Sequence, residues 1–260
     1  MGQGDVNALG LATSLILIGV ALAISFGQQL RLEKQLVWAT VRAFAQLIVM
    51  GFVLAWLLEP GRSIAYSWLW VVGMVIFAAW TVRNRAPEVP GIFPVALVAL
   101  TASMVVTMGV IFGLSIFPME ARAIVPLGGM MIGNSMGSTV LAARRTADEL
   151  KDKRSEVEAR LALGHSSAQA GKPYVRNAIR TALTPRIESA KAAGLVFLPG
   201  AMTGLILAGV DPVDAVLVQA AIMYLILGTA ATTSVVIGLG SLRRLFTSDH
   251  RLRRLVRESN

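Results

Sequence analysis

Long apolar runs alternate with short polar punctuation along this chain, and the period-two alternation of half-buried strands is absent. The runs are Ala8 to Phe26, Leu36 to Leu58, Ile64 to Val82, Ile92 to Phe117, Ala123 to Ala143, Ser189 to Gly209 and Val213 to Gly240. Each reaches the roughly 20 residues that cross about 30 Å of hydrocarbon at about 1.5 Å per residue. An open strand leaves its backbone unsatisfied in lipid, so the pattern predicts seven spanning helices in an all-α, polytopic membrane protein. Residues 1–260 read as one transmembrane domain.

The longest polar interruption, Arg144 to Glu188, separates the fifth and sixth runs. Its first half alternates in charge, with Glu149 and Lys153, then Glu156 and Arg160, spaced i, i+4, and reads as helix five continuing into water. Gly164 breaks that pattern. Ser166 followed by Gln169 then matches a capping box, and Lys172, Arg176 and Arg180 form a basic stripe opposite Val175, Ile179 and Leu183. Gly171-Lys172 is not a phosphate loop: Ser166 stands where the loop needs its first glycine, and Pro173 where it needs Ser or Thr for magnesium. The chain thus carries no nucleotide site of its own, and any ATP-driven motor is expected on another chain.

Composition changes little in this picture but sets its orientation. The chain is 55% hydrophobic and 15% charged, more apolar than one soluble core requires. Met1 to Asn7 contains Asp5 and no Lys or Arg, so the first run is expected to stay as a helix instead of being a cleaved signal. With the amino terminus outside, Arg31, Lys34, Arg83, Arg85 and the six basic residues from Arg243 to Arg257 all fall on one face. Only Arg62 and Arg122 fall on the other, which places that first face, and the carboxyl terminus, in the cytoplasm of an inner (plasma) membrane protein. The net charge of +9 therefore follows from topology, and the basic tail, 241–260, is expected to meet anionic lipid head groups. Nucleic acid is not an expected partner, because Phe246 is the only aromatic between Arg243 and Arg257.

Candidate chemistry is sparse. There is no cysteine, and the two histidines, His165 and His250, both fall in cytoplasmic segments, so the spans offer neither thiolate nor imidazole. Met104 with Met108, and the group Met130, Met131 and Met136, read either as packing or as thioether ligands. Polar residues at membrane depth are costly and thus candidates for a transport path: Arg42 with Gln46 one turn on, and Asn134. Arg42 reads equally as a lipid anchor snorkelling to the head groups. Glu188 is the acidic residue nearest a cytoplasmic vestibule, though Lys191 at i+3 makes it a structural ion pair too. Asp211 and Asp214, flanking Pro212, read as a turn and helix cap.

Gly129, Gly133 and Gly137 form a small-residue stripe on helix five, and Gly200 with Gly204 a second on helix six beside Pro199. These are expected to be packing faces or hinges, with Pro199 kinking helix six.

The stretches Trp38 to Leu47, Pro126 to Met136, Leu161-Ala-Leu-Gly and, above all, Arg180 to Pro212 resemble the FetB-type permeases, the membrane subunits of ABC-type metal exporters with plant relatives associated with aluminium tolerance. The resemblance covers nearly the whole chain. It implies a homodimeric permease paired with a cytoplasmic ATP-binding subunit that holds ATP and magnesium, exporting iron or another metal. Glu156 to Gly164 also looks like the EAA-type coupling loop of ABC importers, which makes Glu156, Arg160, Leu161, Gly164 and His165 the implied dock for that subunit; Arg160 and Leu161 depart from its alanine-rich norm. With no cysteine or membrane histidine, the cargo would be a hard ion on oxygen ligands, a chelate or an organic molecule. A non-transporting membrane sensor with a cytoplasmic partner is the alternative from another class. A secondary transporter would need a mid-helix acid and an internal repeat, and neither is visible. An enzyme would need a nucleophile and base, a metal motif or a carboxylate pair at the interfaces, and none is present.

Overall fold

The structure, a computed structural model, describes residues 8–247, 249 and 251–253. Residues 1–7, whose composition argued against a cleaved signal, His250 and the tail from 254 on lie outside the described residues. The chain divides into two compact units, Met1–Arg62 and Ser63–Asn260.

The first unit is a helical hairpin of α1 (Ala8–Gly27) and α2 (Glu33–Leu57). Its turn passes through two left-handed residues, Gln29 and Arg31, at φ 54° and 57°. The turn is held by Ser25, whose buried hydroxyl donates to Glu33 Oε1 at 2.7 Å and accepts from the Leu32 amide at 3.2 Å. After α2, Arg62 pairs with Glu59 and lies 4.2 Å from the centroid of the Trp56 ring.

The second unit holds α3 (Ala65–Arg85), α4 (Ile92–Gly113), α5 (Ala121–Asp152), α6 (Arg154–Ala162), α7 (Ser167–Ala192), α8 (Gly200–Leu207) and α9 (Pro212–Leu245). At its centre α5 packs against α3, α7 and α9, while α9 also packs against α4. Small buried residues allow that approach: Ser135, Ser138, Thr139, Ala142 and Thr146 on α5, and Thr229, Ala230, Thr233 and Ser234 on α9. Most of these hydroxyls return a hydrogen bond to their own helix, as Ser135 does to Met131 O at 2.7 Å and Thr146 to Ala142 O at 2.7 Å. Thr229 also reaches between helices: its hydroxyl meets that of Thr107 at 2.9 Å, and its carbonyl accepts from Ser103 Oγ at 3.2 Å.

Five helices among the described residues are long and apolar enough to cross a membrane: α2, α3, α4, α5 and α9. α1 adds a shorter apolar stretch, Leu15–Gly27. The predicted sixth span, Ser189 to Gly209, is not one helix. α7 starts far upstream and ends at Ala192, residues 193–199 are non-helical, and α8 is only eight residues long. Gly194, at φ 86°, terminates α7 in the left-handed region, and Val196 and Gly194 donate to Ala192 O and Phe197 O at 2.9 Å each. Pro199 does not kink a helix; it stands outside α8 as its N-cap residue, while the prolines inside α7 are Pro173 and Pro185.

The glycines of the two predicted stripes pack unequally: a Cβ on Gly129 or Gly137 would fall 3.7 Å from Met74 and 3.4 Å from Arg186. A Cβ on Gly133, Gly200 or Gly204 would meet nothing within 4 Å. The close approaches are at Gly128 against Val71, Gly171 against Leu242, Gly238 against Ile179 and Gly240 against Val95, where a Cβ would fall 3.0, 2.3, 2.9 and 2.2 Å from the nearest side-chain atom. Gly171 is therefore the crossing point of α7 and α9, which accounts for the glycine beside Lys172 without any phosphate.

Candidate functional site

Two places in the second unit concentrate polar chemistry: the turn between α6 and α7, and a cavity where α7 gives way to α8.

At the first, α5 ends at Asp152 and the chain turns through Lys153 into α6. Glu149 and Lys153 keep a backbone bond, the Lys153 amide to Glu149 O at 3.0 Å, but their side chains take other partners and form no i, i+4 ion pair. Glu149 instead accepts from Asn177 Nδ2 at 2.5 Å, and Lys153 donates to Glu156 Oε1 at 3.0 Å. Val157 is fully buried and seats α6 on the helices beneath. Glu156 and Arg160 then face α7, where Tyr174 donates its hydroxyl to Glu156 Oε2 at 2.9 Å and lies 5.9 Å from the Arg160 guanidinium. The two bonds from Lys153 and Tyr174 hold the Glu156 carboxyl below its ordinary range. Burial first, then the Glu156 carboxylate, pushes the Tyr174 hydroxyl above its ordinary value.

α6 closes in a Schellman motif: the His165 amide donates to Arg160 O at 3.2 Å and the Gly164 amide to Leu161 O at 3.0 Å, with Gly164 at φ 86°. Ser166 and Gln169 form the expected capping box, amide to Oε1 at 3.0 Å and amide to Oγ at 3.3 Å, and start α7. Between motif and box the turn projects, with Leu163 78% exposed and Gly164 and His165 exposed. Of the five candidate docking residues, then, Glu156 and Arg160 are engaged with α7 and Leu161 packs on the core; Gly164 and His165 are presented outward.

Beside this turn lies a groove of about 740 Å³ lined by Arg154, Glu158, Leu161, His165 and Gln169, with Leu252 on its far wall. The chain after α9 folds back there: Phe246 and Leu252 form an antiparallel bridge, Leu252 is buried, and its carbonyl accepts from Arg154 Nη2 at 3.4 Å. The basic pattern of this tail by itself predicts only contact with lipid head groups. The signal for docking was an apolar residue, Leu252, set between arginines.

The second place is a cavity of about 250 Å³ whose polar lining is Asn134, Arg186, Ser189 and Gln219. Asn134 donates from Nδ2 to Met130 O at 2.9 Å and accepts at Oδ1 from Arg186 Nη1 at 3.0 Å. The guanidinium lies over Gly137, where a Cβ would be 3.4 Å from Nη2. On the opposite wall, Gln219 Oε1 accepts from the Met202 amide at 3.2 Å, satisfying one of the orphan donors at the start of α8. Pro199 and Gly200 close the rim at the α7 to α8 break.

Of the sequence candidates, this cavity unites Met130, Asn134, Pro199 and Gly200. Met136 packs against the core beside it, and Met104 and Met108 are core residues. Glu188 does not line it; the side chain is exposed and pairs with Lys191 at 2.9 Å. Arg42 and Gln46 belong to the first unit, on the exposed surface of α2. Sequence reasoning missed Arg186 and Gln219. Arg186 read as one more basic residue of the polar segment, and Gln219 is a lone polar position inside an apolar run. Among the described residues no three His, Asp or Glu side chains gather as a metal-binding group.

A family model described as "Uncharacterised protein family (UPF0014)" matches residues 8–246. The chain is 37% identical to the "UPF0014 membrane protein STAR2" of Oryza sativa subsp. japonica over 88% of its length and 80% of the relative's. It is 31% identical to the "Probable iron export permease protein FetB" of Escherichia coli (strain K12), over 97% of both chains. It is 34% identical to "Protein ALUMINUM SENSITIVE 3" of Arabidopsis thaliana over 86% of this chain and 82% of the relative. No solved structure matches.

Proposed function

The chain belongs to the UPF0014 family of membrane proteins, and on that premise we propose that it is the permease subunit of an ATP-driven ABC transporter exporting iron or another metal ion. The likeness to an iron export permease along nearly the whole chain carries this reading. In it the permease works as a homodimer in the inner membrane, amino terminus outside, with one cytoplasmic ATPase per copy binding ATP and magnesium.

The Schellman turn at Gly164 supports the coupling part of the reading. A rigid, projecting loop held to α7 by Tyr174 and Glu156 transmits force better than a slack one. ATP-driven closure of the partner pushes on Leu163, Gly164 and His165, and the load passes through α6 and α7 to the non-helical break at 193–199. The break is where α7 and α8 change their relation with the least loss of backbone hydrogen bonding.

The test is metal content under load. Cells lacking the chain are expected to accumulate iron, or one other metal, above cells that carry it, and reintroducing the chain restores export. Unchanged content for every metal tried would overturn the reading.

A further inference from the structure

We propose that the cavity at the α7 to α8 break binds an oxyanion group, a carboxylate or phosphate of the transported solute, with Arg186 as the recognising charge. The inference rests on the permease reading and adds the chemical class of what the pathway accepts.

The first ground is position. Asn134 lies ten residues inside Arg144, the first charged residue toward the end of α5, which is about 15 Å along the axis at about 1.5 Å per residue. Its bond to Arg186 therefore holds a guanidinium beside the apolar half of a membrane-length helix. A permanent positive charge there is costly and kept only where it has a partner or a task.

The second ground is the missing counter-charge. The residues facing the cavity from α5, α7, the break, α8 and α9 include no Asp or Glu. The acid closest in sequence, Glu188, is exposed and committed to Lys191. Asn134 occupies one donor of Arg186, and the remaining guanidinium donors have no protein acceptor among the described residues. The guanidinium lies against Gly137, where a Cβ would be 3.4 Å from Nη2. A bare divalent cation entering this cavity would meet like charge and no anionic ligand. An oxyanion would meet a planar fork of N–H donors, in a cavity that Ser189 also lines.

The third ground is size and wall chemistry. About 250 Å³ bounded by Met130, Ile222, Met223 and Ile226 admits one carboxylate- or phosphate-bearing group and offers apolar walls to the rest of a small solute. A metal would then cross as an anionic complex, or the anion itself would be the cargo.

The experiment measures binding to the full-length chain in lipid nanodiscs by titration calorimetry, with four probes: citrate, ferric citrate, inorganic phosphate and ferrous ion alone. At least one oxyanion probe is expected to bind saturably and ferrous ion alone not to. R186Q should weaken that binding at least tenfold, R186K should retain part of it, and R180Q, an exposed position on the same helix, should leave it unchanged. Ferric citrate binding without citrate or phosphate binding identifies the chelate as the recognised form; citrate or phosphate binding alone identifies the free anion. If R186Q does not fold, R186K carries the test by itself, weakened binding supporting the inference and full affinity overturning it. Ferrous ion binding alone, absence of binding by every oxyanion, or full affinity in R186K and R186Q would overturn the inference. Those outcomes leave the permease reading standing, since cellular metal content tests it separately.

Discussion

The Tyr174 hydroxyl of α7 donates to Glu156 of α6 at 2.9 Å, and this bond, with Val157 buried beneath it, fixes the short helix that precedes the projecting Gly164 turn. The contact is between residues 18 positions apart on two helices that meet only because the chain reverses at Gly164 and Ser166.

Titration of the tyrosines reads this contact directly. Tyr174 is expected to ionise above its ordinary value of 10.0, because burial and the Glu156 carboxylate both favour the neutral hydroxyl. The folded value is raised, so its contribution to stability is present below pH 10.0 and lost as pH rises through the folded value. Glu156 has the opposite sign: its folded value is lowered, so its contribution is present above 4.5 and lost as pH falls through the folded value. Absorbance at alkaline pH, with Y174F as the reference that isolates this residue, should show the Tyr174 transition move earlier in E156Q. A Tyr174 transition that E156Q leaves in place would remove the contact.

Gly164 stands at φ 86°, where a β-branched residue is strained by about 1–3 kcal/mol. Gly164→Val should therefore loosen the α6 to α7 turn while leaving α5 and α9 intact. Hydrogen exchange would rise at the Gly164 and His165 amides and stay unchanged at Met131 and Thr233. With the proposed ATPase partner supplied, stimulation of ATP hydrolysis by the permease is expected to fall.

Gly240 and Gly204 are expected to respond oppositely to alanine. A Cβ on Gly240 would sit 2.2 Å from Cγ1 of Val95, a side chain stiff at χ1, and overpacking of this kind costs about 1–3 kcal/mol. Gly204 has open space around it inside α8, so alanine there should stabilise the helix by about 0.5–1 kcal/mol. Thermal unfolding in detergent distinguishes the two, and V95A should restore G240A.

The Thr107 and Thr229 hydroxyls, 2.9 Å apart and buried between α4 and α9, should show measurable coupling. Interhelical hydrogen bonds in membrane proteins average about 0.6 kcal/mol, so a T107A/T229A cycle is expected near that figure. Additive losses would mean that each hydroxyl is satisfied within its own helix.

How far the sequence reached depended on the range of the interaction. The apolar runs located α1 to α5 and α9, since each needs only enough consecutive hydrophobic residues. Ser166 with Gln169 announced the start of α7, and Asp211 before Pro212 announced α9, where Asp211 accepts from the Val213 amide at 2.8 Å. Each of these is a contact within a few residues. The run Ser189 to Gly209 misled because hydrophobicity does not report that Gly194 ends one helix and Pro199 precedes another. The glycine spacing on α5 was legible in part: Gly129 and Gly137 face Met74 and Arg186 while Gly133 meets nothing, because periodicity shows which small residues share a face, but which of them meets a neighbour depends on the neighbour.

By itself, then, the sequence determined that the chain is helical and suited to the membrane, that it lacks cysteine, and where several helices start, because these follow from local hydrophobicity and backbone chemistry. The tertiary structure decided that Arg186 meets Asn134, 52 positions away, that Gln219 caps α8, and that Leu252 folds back beside α6. Those pairings depend on how α5, α7 and α9 pack, a balance of shape and buried polarity over the whole bundle that no short window of residues contains.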